Sequence, residues 1–310
     1  MIPNQVDCIV RFHNLSRLFE LNRCIFSLVG QTYRPLHIIL ATQRFSVSDI
    51  EKTRESLGSL LSLPNAPNLT ITNWETPFPK DARSELLNVG LAAATGRYLA
   101  FLDYDDVLYP EAYEILIGRL RESSAAIAFG SVRIVYANVY RKFMHATREN
   151  RNPFCGRDLR DLFRSNFCPI HSYLIDRSVV APNILSFDTS MTWEEDYDFL
   201  LKICAQYPSD FASRGNVIGD YYYKNDGSNS VPVNGHLSDV RTLEYERVKD
   251  CIELRRRTTV VSPVVQRQLG LDGPANSMTI RSLLDMLDAP YSPDVIGLAY
   301  EEAHNLCATQ

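Results

Sequence analysis

The chain has 310 residues, 22% charged and 45% hydrophobic, with 14 glycines and 16 prolines. That composition excludes disorder, collagen and coiled coil, and the length admits one large α/β domain or two small ones. A net charge of −5 argues against a nucleic-acid binder held by bulk positive charge.

In chain order, Val6–Phe12 reads as a buried strand. Leu15–Val29 reads as a helix, from the spacing of Leu18, Phe19, Ile25, Phe26 and Val29. Leu36–Ala41 is a second strand, Asp49–Leu61 a second helix and Leu69–Asn73 a third strand. Asp81–Thr95 is a helix stopped by Gly96, Arg97–Leu102 a fourth strand, and Pro110 opens the next helix at its first turn. This rhythm predicts an α/β fold, a parallel sheet with helices on both faces, in which ligands bind beyond the carboxyl ends of the strands. Ala125–Tyr136 and Ser172–Ile175 are further strands, joined by a polar, basic connection over Arg141–Asn166. Tyr221–Tyr223 is a short strand before a turn-rich loop at Asn225–Asn229. Leu237–Arg257 is a long helix ending in Arg255, Arg256 and Arg257, and a last helix spans Pro293–Cys307. The three arginines read either as a solvated helix end or as a patch for anionic lipid.

Seven cysteines, odd in number and without a CxxC pair, argue against zinc ribbons and thioredoxin-type chemistry. They fit reduced thiols buried as small hydrophobes. The opening MIPNQVDCIV lacks the basic and apolar regions of a signal peptide, and no apolar run approaches the ~20 residues of a membrane span. The expected location is the cytoplasm, with peripheral contact at the inner face of a membrane as an open reading.

Two acidic motifs carry the chemistry. Asp103, Asp105 and Asp106 follow directly on the fourth strand. Alternating carboxylates there suit Mg²⁺ or Mn²⁺ bridging to a diphosphate, whereas a helix cap would occupy only one of them. About ninety residues downstream, Glu194, Glu195 and Asp196 lie at a helix start, where crowded carboxylates gain proton affinity and one can serve as a general base. His145 and His171 read as hydrogen-bonded polar residues rather than ligands, although His171 lies where it could approach the acceptor side. The sequence has no GxSxG, P-loop or GxGxxG.

The segments RFHNLSRLFELNRCIFSLVGQTYRPLHIIL, RSELLNVGLAAATGRYLAFLDYDDVLYP and WEEDYDFLLKI, in that order, resemble a family 2 glycosyltransferase over about residues 5–230. The resemblance implies a GT-A fold: a Rossmann-like, mostly parallel central sheet over residues 1–235, followed by a helical C-terminal extension over 236–310. It implies a metal-dependent, inverting transfer of a sugar from a nucleotide-diphosphate donor to a glycan or lipid-linked hydroxyl, as in bacterial surface-polysaccharide synthesis. UDP is favoured, with dTDP and GDP open. By the same resemblance, Asp105 and Asp103 match the metal-binding DxD pair, with Mn²⁺ or Mg²⁺ as cofactor. Phe12, Asn14, Gln43, Arg83, Asp103, Tyr104 and Asp106 fall on the nucleotide-sugar side. Asp196 matches the catalytic base, with Trp193 and Glu195 on the acceptor side.

Two departures stand out. Ala41-Thr42-Gln43-Arg44 replaces the family's Asp-Asp-Gly-Ser, leaving Thr42 or Gln43 to read the base. The late loop lacks its usual His, leaving Lys224 or His236 as substitutes. A nucleotidyltransferase and a non-catalytic module that binds nucleotide sugar or glycan remain rival readings, and the C-terminal helices are expected to pack on the catalytic domain or to form a homodimer. Phe101, Tyr104, Tyr109, Trp193, Tyr197 and Tyr221–Tyr223 flank the acidic motifs as sugar-stacking walls or as packing.

Overall fold

Along the first strand, β1 (Ile2–Phe12), Val6, Cys8, Val10 and Phe12 join one buried cluster while Ile9 joins another. Side chains alternate across a strand, so β1 runs through the middle of two apolar layers. The computed structural model describes residues 1–141, 143–151, 154–229, 239–271 and 276–287.

From β1 the chain continues through α1 (Leu18–Val29), β2 (Leu36–Gln43), α2 (Val47–Leu61), β3 (Asn68–Trp74), α3 (Arg83–Ala93) and β4 (Gly96–Asp103). A capping box between Ser46 and Asp49 starts α2. Next come β5 (Val107–Leu108), α4 (Ala112–Ser123), β6 (Ile127–Phe129), β7 (Ser131–Val139), β8 (Met144–Asn150), α5 (Leu159–Arg164) and β9 (Tyr173–Asp176). The described chain closes with α6 (Glu195–Gln206), β10 (Ser209–Asp210), β11 (Val217–Lys224), α7 (Asp239–Thr258), α8 (Pro263–Gln268) and α9 (Ile280–Met286).

Seven strands form the main sheet in the order β10-β6-β9-β4-β1-β2-β3. Its pairings are parallel except for β9, which runs against both β4 and β6. Ile9 lies beside Ile39 and Phe101 in register. Helices α1, α2 and α4 cover the face of Val6 and Val10, and α3, α5 and α6 cover the face of Ile9. A second sheet has the order β5-β11-β7-β8.

Several elements differ from the sequence expectation. Gly96 does not stop a helix. The chain leaves α3 at Ala94 in extended conformation, and Gly96 is the first residue of β4. The buried Asp7 carboxylate accepts the N–H groups of Thr95 and Gly96 at 2.5 and 2.6 Å. A Cβ on Gly96 would lie 2.7 Å from the Gln5 carbonyl oxygen, so glycine is needed for close approach rather than for a helix end. Pro110 precedes the N-cap Glu111 of α4 instead of sitting in its first turn.

The single strand expected over Ala125–Tyr136 is divided at Gly130, where the backbone passes from Ser172, just before β9 of the main sheet, to Asn216, just before β11 of the second. The polar connection over Arg141–Asn166 contains β8 and α5. Strand β8 is almost wholly exposed on an edge, so it lacks the alternating pattern that marks a half-buried strand. The helix expected over Pro293–Cys307 lies outside the described residues.

Val248 and Ile252 of α7, Val265 of α8 and Leu283 of α9 join the same buried cluster as Phe101, Phe199 and Leu200. Neither reading of the three arginines describes them well. Arg255 pairs with Asp198 at 2.5 Å, and the buried Arg256 donates to the carbonyls of Phe163 and Arg164 and to Tyr197 Oη. Arg257 alone is exposed, paired with Glu253. The end of α7 is thereby clamped to α5 and α6. Among the described residues the cysteines are free thiols, four of them buried, and no helix is long and apolar enough to cross a membrane.

Candidate active site

Strands β1, β2 and β4 end along one edge of the main sheet, where such folds bind ligands. A cleft of about 530 Å³ opens there. Its walls include Arg11, His13, Gln43, Asp103, Tyr104 and Asp105 from the strand ends, and Lys80, Asp81 and Arg83 from the start of α3. Thr192 and Trp193 face it from the segment before α6, Gly227–Asn229 from the late loop, and Glu244 from α7.

The acidic turn after β4 is held by cations of the chain itself. Arg11 donates to both oxygens of Asp103, at 2.5 and 3.0 Å, and through Nη1 to Glu195 Oε1 at 2.6 Å. Burial pushes the Asp103 carboxyl upward, but the Arg11 guanidinium outweighs it and holds the group below its ordinary range. Asp105 Oδ2 accepts from the Lys224 ammonium at 2.7 Å. Burial opposes that ammonium, yet Asp105 and Glu20 raise it above the ordinary lysine value.

Asp106, placed on the nucleotide-sugar side by the resemblance, is 2% exposed and is not part of the cleft wall. Its Oδ1 accepts the Tyr222 N–H at 2.8 Å, and burial with Asp105 and Asp103 nearby pushes its carboxyl well up. His171, expected to be hydrogen-bonded, is buried with neither ring nitrogen in a hydrogen bond, its Nδ1 3.5 Å from Asp106 Oδ2. Burial lowers its pKa to about 4, which keeps the ring neutral near pH 7.

The three consecutive acids at the start of α6 have different surroundings. Glu194 is the N-cap in left-handed conformation (φ 57°), and its Oε2 accepts from Asn166 at 3.1 Å. Glu195 is taken by Arg11. Asp196 makes no ion pair among the described residues; its Oδ1 accepts the Tyr197 N–H at 2.8 Å and reaches Asn166 Nδ2 at 3.4 Å. Burial, then the charges of Glu195 and Glu194, push its carboxyl well above the usual range. Burial raises Glu194 to about 7. Between 4.5 and about 7 the folded protein therefore keeps a proton at Glu194 that the unfolded chain has released, so folding stability falls as pH rises through that window.

Of the sequence-predicted site residues, Gln43, Arg83, Asp103, Tyr104, Asp105 and Trp193 meet at the cleft. Arg83 is paired with Asp81 at 2.7 Å, and Gln43 donates to the Lys80 carbonyl. Thr42, the alternative to Gln43, is buried and bonds to Thr72 and Asn73 of β3. Phe12 is fully buried edge-on to Tyr104 and Phe45, so it supports the wall from beneath. Asn14 caps the turn at Leu15–Arg17 by accepting the Ser16 N–H, and neither it nor Phe12 lines the cleft. Glu195 and Asp196 lie outside the lining, Glu195 joined to it through Arg11. Lys224 is buried between Glu20 and Asp105 and does not line the cleft, and His236 lies outside the described residues.

Of the flanking aromatics only Tyr104 and Trp193 face the cleft. Phe101 packs on Tyr173, Phe187 and Phe199, and Tyr109 donates to Asp220. Sequence reasoning missed Arg11, His13, Lys80, Asp81, Asn166 and Glu244. A charged Arg11 one residue before the carboxyl end of a largely buried strand was the available signal. Lys80 and Asp81 adjoin a predicted helix start, whereas Asn166 and Glu244 reach the site only through the tertiary fold.

An α/β sheet whose carboxyl edge carries acidic and basic side chains around an open cleft defines the class, a GT-A architecture. The chain matches the model of glycosyl transferase family 2 over residues 9–181 and belongs to that family. It is 28% identical over 125 residues to YibD of Escherichia coli K12, described as an uncharacterized glycosyltransferase, covering 40% of this chain and 33% of that protein. It is 23% identical over 217 residues to an uncharacterized glycosyltransferase of Haemophilus influenzae, covering 66% of this chain and 62% of that protein. The chain thus spans less than two thirds of either relative. Among solved structures, S. aureus TarS 1-349 in complex with UDP-GlcNAc has a TM-score of 0.56 at 14% identity, covering 86% of this chain and 70% of that one. The structure without ligand gives 0.55.

Proposed function

We propose that this chain transfers a sugar, with inversion, from a nucleotide-diphosphate donor, UDP favoured, to a hydroxyl of a glycan or lipid-linked acceptor. The observation that carries the reading is the cleft at the carboxyl edge of the sheet. It sets Arg11, Lys80 and Arg83 beside Asp103 and Asp105 on one side, and Trp193, next to the acids of α6, on the other. That TarS shares the fold and was crystallised with UDP-GlcNAc supports the choice of donor class.

Among the described residues no group of three or more His, Cys, Asp or Glu side chains is arranged to hold a metal ion. The donor set nonetheless fits a hard cation that keeps open positions for phosphate oxygens. Asp105 lines the cleft and Lys224 takes only its Oδ2, so one carboxylate oxygen remains for Mn²⁺ or Mg²⁺. When bound, such a cation offsets charge on a departing diphosphate. Lys80 and Arg83 attract and orient the diphosphate. Asp196, which matches the family's base and makes no ion pair among the described residues, takes the proton from the acceptor hydroxyl, and Trp193 walls the acceptor side.

Activity should then fall as pH drops and protonates Asp196, with an apparent pKa above the ordinary aspartate range. Glu195→Gln removes the larger of the two charges that raise Asp196, so the acidic limb of the pH–rate profile should move to lower pH. An unmoved limb would mean that Asp196 is not the titrating base.

A second reading, a binding module without turnover, draws on one observation: Asp196 turns toward Asn166 and lies off the cleft wall. Calorimetric titration with UDP, dTDP and GDP in the presence of Mn²⁺ tests the donor assignment. UDP should bind most tightly and Arg83→Ala should weaken it. Absence of binding by all three would remove the donor reading.

A further inference from the structure

Lys224 ends β11 with its side chain 1% exposed. Its ammonium donates to Glu20 Oε2 at 2.9 Å and to Asp105 Oδ2 at 2.7 Å. Glu20, at 0% exposure, also accepts from Arg17 through Oε1 at 2.8 Å. Arg23 fixes the same turn from the other side by donating to the Asp105 carbonyl at 2.7 Å. A buried ammonium persists when carboxylates surround it, and here one of those carboxylates is the acid that fits a divalent cation.

This arrangement has a consequence for cation binding in the free protein. Mg²⁺ and Mn²⁺ bind weakly to one carboxylate oxygen and need several oxygen ligands and negative charge. Asp103 adds neither, because both its oxygens are held by Arg11. The Lys224 charge next to Asp105 repels a second cation in addition. A diphosphate in the cleft reverses this balance by adding oxygens and negative charge.

Resting on the donor reading above, we propose that Lys224 makes the cation site conditional on the donor: while its ammonium holds Asp105, a divalent cation binds there only together with a diphosphate. Lys224 is thus a positioning residue, setting the order in which cation and nucleotide bind. Linkage makes the coupling reciprocal, so UDP should also bind more tightly when Mn²⁺ is present.

The test is a titration of the full chain with Mn²⁺, followed by the electron paramagnetic resonance signal of the free ion, with and without UDP. Wild type should bind Mn²⁺ about tenfold or more tightly with UDP than without it. The double variant Lys224→Met/Glu20→Gln removes both buried charges together and leaves Asp105 free. Without UDP it should bind Mn²⁺ about tenfold or more tightly than wild type does. If that variant does not fold, Lys224→Gln, which keeps a donor toward Glu20 without the charge, gives the same comparison. Equal nucleotide-free Mn²⁺ affinity in wild type and variant, or wild-type affinity indifferent to UDP that does bind, would overturn the proposal. Failure of UDP to bind at all would overturn the donor reading instead, and the nucleotide-free comparison would still decide the role of Lys224.

Discussion

Asp196→Asn should lower the rate of sugar transfer by roughly 10²–10⁴-fold, the usual effect of removing a general base. The substitution keeps the side chain's shape and its acceptor oxygen for the Tyr197 N–H, so folding and nucleotide binding should be unchanged. The prediction singles out Asp196 because its neighbours are otherwise engaged. Glu195 is ion-paired with Arg11, and Glu194 accepts from Asn166 at 3.1 Å. Asp196 also has its proton affinity raised by burial and by those two acids, which moves a carboxylate toward the range in which it works as a base near neutral pH. Initial rates of nucleoside diphosphate release, with calorimetry on UDP as the binding control, make the comparison. Wild-type-like turnover in the variant would move the base to another residue.

Arg11→Met should cost about 3 kcal/mol or more of folding stability, in line with breaking a buried ion pair from one side. Arg11 is 16% exposed and joins Asp103, at 24%, to Glu195, at 5%. Without it, two carboxylates lose their shared cation inside the fold, and the ends of β4 and α6 lose the side chain that ties them together. Urea unfolding of wild type and variant reads the effect, and an unchanged midpoint would show that water screens the pair. Arg11→Met/Glu195→Gln should recover part of the loss, because one of the abandoned charges is removed with the arginine.

The parallel half of the fold was legible because β1, β2 and β4 are mostly apolar and buried, and helices with their own spacing lie between them. β1, β2 and β4 fall close to where the apolar runs lie. What escaped were elements whose side chains carry no such pattern. Strand β8, with the sequence MHATREN, lies exposed on an edge and contributes nothing to the core, so its residues read as a polar loop. The break at Gly130 depends on which sheet each half joins, which local sequence does not encode. Gly96 looked like a helix stop, whereas its lack of a side chain serves the contact with Gln5 and Asp7.

The site divides in the same way. Asp103 and Asp105 could be read from their place after a buried strand, and Gln43, Arg83, Tyr104 and Trp193 all reach the cleft. Phe12 and Asp106 were assigned to the nucleotide side but are buried behind it: alternation turns Phe12 into the core, and the Tyr222 N–H holds Asp106 inward. The pairings Arg11–Asp103–Glu195 and Lys224–Asp105 span 92 to 184 residues of chain, and spacing gives no sign of contacts at that range.

Whether the cleft turns over a nucleotide sugar is decided by release of nucleoside diphosphate from a panel of UDP-, dTDP- and GDP-sugars in the presence of Mn²⁺. A UDP-sugar should release UDP, and Asp196→Asn should abolish that release. No release from any donor, with nucleoside diphosphate still bound, would leave a binding module in place of an enzyme.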